Sequence, residues 1–243
     1  MKKFFPGVVS LVSVVLILSA CTQTMQAVKH ARLQTNVRMS DTIFLDPEVL
    51  AKNRNVYVRV TNTSQVQEIS FQDELVKALA SKGYQITSSP AVAGYIIQAN
   101  VLYMDRKTAD ITEDATLAGG FGGAIAGYAL GGDDTGKAVG GLIGATVGAV
   151  GGAVVGTMVH VDTYMGVVDV QIKERVEGGV TGVMTTEATQ GTGTTMKTTR
   201  KINSKFQTYR TRIVATATQT NMDRKEAATV LSGVLAAQIG GLF

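Results

Sequence analysis

Tryptophan is absent, cysteine occurs once, histidine twice and proline three times in 243 residues. A single cysteine forms no internal disulfide, and no Cys/His group has zinc-ligand spacing. A disulfide scaffold and a Cys-ligated metal centre are therefore excluded. Against three prolines stand 27 glycines, so the glycine belongs neither to collagen nor to a Pro/Gly linker. Charge is scarce too: Asp, Glu, Lys and Arg make up 17% of the chain, against about 25% in an ordinary soluble domain. Apolar residues make up 45%. That balance excludes a disordered tail protein and points to a membrane component. The net charge of +4 is too small to argue for a nucleic-acid partner.

What is present begins at the amino terminus. Lys2 and Lys3 precede an almost wholly apolar run from Val8 to Leu18, followed by Leu18-Ser19-Ala20-Cys21. This is the layout of a signal peptide, its apolar run too short to span a bilayer. Small residues before a cysteine match the bacterial lipobox, which predicts cleavage after Ala20 and lipidation of Cys21. N-acyl and S-diacylglycerol chains on Cys21 would then hold the mature chain at about 0.8 kcal/mol per buried CH₂. No other cofactor is implied. Thr22 rather than Asp follows the cysteine, which favours sorting to the outer membrane. Residues 1–20 carry two lysines and no acid, so the mature chain keeps only +2.

Residues 21–40 read as a polar, weakly helical tether behind the anchor. A folded segment follows over 41–115. Val56, Val58 and Val60 alternate with Tyr57 and Arg59, the period of a strand. Ser70-Phe71-Gln72-Asp73 reads as a capping box. Phe71, Leu75 and Leu79 then line one helix face, and Lys82-Gly83 ends it. Tyr84–Thr87 starts a strand, Ser89-Pro90 turns, and Tyr95–Tyr103 is a longer β-rich run. A second segment over 162–243 repeats the order. Val168, Val170 and Ile172 oppose Asp169, Gln171 and Lys173; Phe206–Thr218 is another strand. Asn221 or Asp223 caps a last helix with Ala227, Leu231 and Val234 inward, ending at Gly240-Gly241. Residues 178–200, rich in Thr and Gly, read as a hairpin tip or mobile loop. The expected fold class is α+β, a single sheet-and-helix domain interrupted by an insert at 116–161.

That insert carries 15 glycines between Ala115 and Val161, with charge only at Asp133, Asp134 and Lys137. Gly119, Gly123, Gly127 and Gly131 recur every four residues, as do Gly136, Gly140, Gly144, Gly148, Gly152 and Gly156. Spacing of four predicts a helix face smooth enough for close packing in lipid. In water each glycine would cost about 1 kcal/mol against alanine. Thr116–Gly132 and Ala138–Val161 would be about 25 and 36 Å long as helices, near the roughly 30 Å of hydrocarbon. The expectation is a transmembrane helical hairpin turning at Asp133–Lys137 and assembling copies into a ring-like homo-oligomer.

Catalytic readings fail on their details. Gly131–Lys137 has the spacing of a phosphate loop, but Ala138 stands where the Mg²⁺-binding hydroxyl belongs. His160 beside Asp162 reads as a polar residue at a membrane boundary, and His30 as solvated in the tether. Nothing near them resembles a nucleophile elbow. Arg210, Thr211 and Arg212 read as an exposed strand face. The expectation is a protein that is not an enzyme. Its candidate recognition residues are Asp110, Glu113 and Asp114 in one loop, and Asp133, Asp134 and Lys137 in the turn.

Several blocks, in order, resemble the TraT family of outer-membrane lipoproteins. They are Met39-Ser40-Asp41-Thr42-Ile43 with Leu45 and Pro47, Asn62-Thr63-Ser64, and Lys82-Gly83-Tyr84-Gln85 with Ser89-Pro90. Ile97–Leu102, the glycine-rich centre, Asp169-Val170-Gln171-Ile172 with Glu174-Arg175, and Tyr209–Val214 complete the set. The resemblance covers the whole mature chain. It implies an abundant, oligomeric, surface-exposed lipoprotein without catalytic activity, which limits redundant conjugative mating (surface exclusion) and killing by serum complement. Its partners would be itself, the outer membrane and its proteins, and the pilus or mating-pair proteins of donor cells. Thr181–Arg200 and Asp105–Ala115 depart most from the family pattern and leave the excluded plasmid type open. Two other readings stand beside this one: a pore ringed by small-residue helices, and a structural envelope lipoprotein with no mating role.

Overall fold

The computed structural model describes residues 30–108, 111–122, 160–190 and 194–243, the side chains of 186–190, 194 and 195 excepted. Six strands form one mixed sheet: β1 (Gln34–Met39), β2 (Asn55–Asn62), β3 (Gln85–Ile86), β4 (Tyr95–Arg106), β5 (Val161–Gln190) and β6 (Thr194–Thr220). Their order is β1-β6-β5-β4-β2-β3. Pairs on the β1 side are antiparallel, while β2 runs parallel to both β4 and β3. Four helices accompany the sheet among the described residues: α1 (Pro47–Lys52), α2 (Phe71–Ser81), α3 (Glu113–Ala118) and α4 (Arg224–Gly240).

The alternation in each strand decides which face is covered. Tyr95, Ile97, Ala99 and Val101 of β4, Val168, Val170 and Ile172 of β5, and Ile213, Ala215 and Ala217 of β6 all join the main core. Over them lie α2, through Phe71, Leu75 and Leu79, and α4, through Leu231, Leu235 and Ile239. Each of these large side chains contributes about 1.5–3 kcal/mol by leaving water. The two helices meet where Gly240 has no Cβ to press on Ala78, 3.4 Å away. Phe243 closes this layer, packing edge-on against Tyr84 and Tyr95 with both ring centroids at 5.3 Å.

Caps sit where side-chain chemistry demands. Ser70 accepts from the Asp73 amide at the start of α2, and Gly83 takes φ +84° just beyond its end. Asp223, not Asn221, caps α4 by accepting from the Glu226 amide. Asn221 instead adopts φ +55° and accepts from the His160 amide.

The opposite face is crossed by a strap, described over residues 107–108 and 111–122. Its short helix α3 sets Ile111 and Leu117 over Tyr103, Met165, Val167 and Val214, a second small core. Here the expected fold class needs correction. The predicted helix over Thr116–Gly132 stops within its first turn: α3 is six residues long, ends at Ala118 and is capped at Gly119. Gly120 and Gly122 then take φ +57° and +74°, outside helical space. The Gly122 amide, expected within a helix, is donated to the buried Asp169 carboxylate instead, at 2.8 Å. Two glycines so close to the end of one short turn make continuation costly. Among the described residues no helix is long and apolar enough to cross a membrane. Among the described residues the fold is a mixed sheet with four helices, none of which forms a transmembrane hairpin; residues 123–159 of the expected hairpin lie outside the described residues.

Two further expectations change. The supposed helical tether contains β1, which pairs residue by residue with β6 from Gln34↔Thr218 to Met39↔Ile213. The supposed loop at 178–200 belongs to β5 and β6, whose pairing runs to Gln190↔Thr194. Threonine is β-branched and suits a pleated surface, and facing threonines bond across the ribbon, as Thr185 and Thr199 do at 3.4 Å.

Candidate functional site

Three acidic side chains are buried in the sheet, and each is matched by donors from neighbouring strands. Asp169 on β5 faces Arg212 on β6, its register partner. Arg212 is fully buried. Its Nε donates to Asp169 Oδ1 at 2.7 Å and its Nη2 to Oδ2 at 3.0 Å. Its Nη1 donates to the Thr116 carbonyl at 3.2 Å. With the Gly122 amide on Asp169, the pair pins both ends of the strap's last turn to the sheet. The expectation of an exposed Arg210-Thr211-Arg212 face is thus corrected for Thr211 and Arg212. The strap converts the Arg212 side of β6 to interior, while Thr211, on the other side, is covered by the Ser40–Asp41 segment, whose Asp41 carbonyl accepts from its hydroxyl at 3.0 Å.

Beside this pair lies an open cleft of about 460 Å³, lined by Thr61, Gln98, Asn100, Phe121, Gln171 and Arg212 among others. Arg210 Nε donates to Gln171 Oε1 at 2.8 Å, and Gln171 Nε2 to Gln98 Oε1 at 2.8 Å. The Arg210 guanidinium sits 5.3 Å from the centre of the Phe121 ring. These polar groups satisfy one another across three strands.

Glu174 is the second centre. Its carboxylate accepts from Tyr95 Oη (3.1 Å), Tyr209 Oη (2.9 Å) and the Asp46 amide (2.9 Å). It thereby ties the α1 N-cap to the sheet. Burial, reinforced by the Glu174 charge and hydrogen bond, raises Tyr95 far above the ordinary phenol value. The same causes, burial first, push Tyr209 up to about 12.

Asp162 is the third. It lies 2.9 Å from Arg106 Nη2 and 2.8 Å from His160 Nε2. The carbonyls of His30 and His160 accept from consecutive amides, Thr220 and Asn221. Both histidines are therefore fixed at one end of β6, and His30 is no longer a free tether residue. Strap and insert do not part at one point. Gly122 sits beside Asp169, whereas His160 immediately precedes β5, nine residues or roughly 30 Å away along the strand.

Of the predicted recognition residues, Glu113 and Asp114 form the first turn of α3. Glu113 accepts from Lys107 Nζ (3.3 Å) and Asn36 Nδ2 (3.2 Å), and Asp114 pairs with Arg38. They bind the strap to β1. Asp110, Asp133, Asp134 and Lys137 lie outside the described residues, as do Ala20, Cys21 and the glycine row from Gly123 to Gly156. Among the described residues no acidic, His or Cys group is arranged to hold a metal ion.

A family model described as Enterobacterial TraT complement resistance protein matches residues 32–243. The chain belongs to the TraT family. Among TraT relatives, a TraT complement resistance protein of Escherichia coli is 37% identical over 96% of each chain. Another, from strain K12, is 36% identical over 97% of this chain and 96% of its own. A shorter match, 36% identical over 37% of this chain, is to a TraT complement resistance protein of Wigglesworthia glossinidia brevipalpis. These TraT proteins are named for a resistance, not for a catalysed reaction. The blocks on which the TraT resemblance rests also house the buried centres: Asp169 and Glu174 lie in one, Tyr209 and Arg212 in another.

Proposed function

We propose that this chain is an outer-membrane lipoprotein that protects its cell from complement and bars redundant conjugative mating. The carrying observation is the end-to-end similarity to complement resistance proteins, over 96% of both chains. The lipobox ending at Cys21 supports an acyl anchor, and the sheet starts 13 residues beyond it, at Gln34. The domain is built to hold shape rather than to turn over substrate. Both oxygens of the buried Asp169 and Glu174 carboxylates accept hydrogen bonds, and its strap is fastened at both ends. In this reading copies associate at the membrane into a homo-oligomer and meet complement components or the mating apparatus of a donor cell.

The test places the gene in a serum-sensitive recipient and measures survival in serum and acceptance of a related plasmid. Survival should rise and mating fall by an order of magnitude or more, and Cys21→Ala should abolish both effects. Unchanged survival with normal surface lipoprotein levels would refute the complement role. Unchanged mating would leave a protective lipoprotein without exclusion.

A further inference from the structure

We infer that the distal half of the β5–β6 hairpin is the surface through which copies of this chain join, edge to edge and head to tail. The inference rests on the proposal that copies associate, and it names the contact. Beyond the bulge between Arg175 and Val180, β5 and β6 pair with each other from Val180↔Ser204 to Gln190↔Thr194. β4 has already ended its pairing at Tyr95↔Glu174, and β1 at Met39↔Ile213. Among the described residues no other strand is bonded to this arm. Eleven paired residues reach roughly 35 Å beyond the body.

A lone two-stranded ribbon of this length is marginal in water, and each outer edge offers unpaired amides and carbonyls. Proteins that shun edge pairing shorten such strands, interrupt them with proline or a bulge, or line them with lysine; here the bulge lies only at the base and the lysines only on β6. This arm is long and has no proline. The register places Val180, Met184, Met196 and Ile202 on one face, with Met196 half exposed at 51%. Arg200 shares that face opposite Met184, which disfavours burying it in lipid.

Charge selects the partner and its direction. Val176–Gln190 contains Glu177 and Glu187 and no cation; Thr194–Lys205 contains Lys197, Arg200, Lys201 and Lys205 and no acid. Pairing two β6 edges would set cationic strands side by side, which is destabilising. Pairing the β5 edge of one copy with the β6 edge of the next alternates the signs. Such a contact is heterologous, so repetition builds a ring where the rotation between copies closes and a filament where it does not.

The experiment uses the full-length lipoprotein in its native membrane. One copy carries Val183→Cys on β5. A co-expressed, differently tagged copy carries Thr199→Cys, Lys201→Cys or Asn203→Cys on β6. Mild oxidation should give mixed disulfides at one or two of these positions and none between two β6-cysteine copies. If an oligomer persists on native gels but no position cross-links, or only β6–β6 bonds form, the interface is overturned while association stands. If every form is monomeric, association itself fails. Labelling of the β5 cysteine only by a lipid-soluble thiol reagent would place the arm in a bilayer and also overturn the interface.

Discussion

The same two strands are treated in opposite ways at their two ends. Near the base, residues 161–175 and 206–220 are covered by α4 on one face and by the strap on the other. Three acids lie buried there: Asp162, Asp169 and Glu174. Beyond Gly178 and Gly179, which take φ +84° and +76°, the pairing continues but the cover stops. Val183 is 67% exposed though its alternation resembles that of Val167, which is wholly buried. Strand composition alone does not distinguish interior from exterior. The neighbouring element does.

The comparison can be broken most forcefully at Arg212. Arg212→Met leaves Asp169 buried without its cation and should cost about 3–5 kcal/mol of stability in denaturant unfolding. Adding Asp169→Leu should recover most of the loss, since an apolar pair of similar volume can replace a buried ion pair. A loss no greater than for a surface arginine would show that the strap does not seal this centre.

A matched pair of glycine substitutions sharpens the contrast. A Cβ on Gly166, in the body, would stand 2.9 Å from Leu235 Cδ1 and 3.5 Å from Leu231 Cβ. Gly166→Val should therefore cost about 1–3 kcal/mol by overpacking. At Gly182, in the arm, the first neighbour is Ile202 Cγ1 at 4.0 Å. Gly182→Val should stay within about 0.5 kcal/mol, as exposed changes do. Thermal midpoints of the two variants, read side by side, decide the matter.

The smallest effect is in alkali. The raised value of Tyr209 in the folded chain means that the native state holds this proton more tightly than the unfolded chain does. Its contribution is complete below pH 10, the ordinary phenol value, and is lost as pH climbs towards about 12. The arm contains no tyrosine, so this loss belongs to the body. Tyr209→Phe should flatten the decline in unfolding midpoint between pH 10 and 12, leaving the part due to Tyr84 and Tyr95, both also raised by burial. An unchanged slope would remove Tyr209 from the account.

The legible parts of the fold were those whose pattern is local. Ser70 followed by Phe71, Leu75, Leu79 and Gly83 defines α2 without outside help, and Val56, Val58 and Val60 define β2. β1 was not legible, because Gln34–Met39 has little apolar pattern and becomes a strand only by docking on β6. The arm was missed because Thr and Gly occur equally in loops and in exposed ribbons. The glycine spacing misled at its start for a related reason. Periodicity shows which residues would share a face if a helix formed; it does not show that Asp169, some fifty residues later, takes the amide of Gly122 for itself. Likewise the alternation of Asp169 and Arg212 with apolar residues points outward unless a strap from elsewhere lies across them.

The placement of α4 and Phe243 has a consequence for the order in which the chain folds. Phe243 locks against Tyr84 and Tyr95, and α4 is the wall over β4, β5 and β6. A chain made amino end first therefore cannot seal this interior until residues 224–243 have joined it. Until then the inner sheet face stays open, and the body closes late whatever the order in which its earlier strands pair.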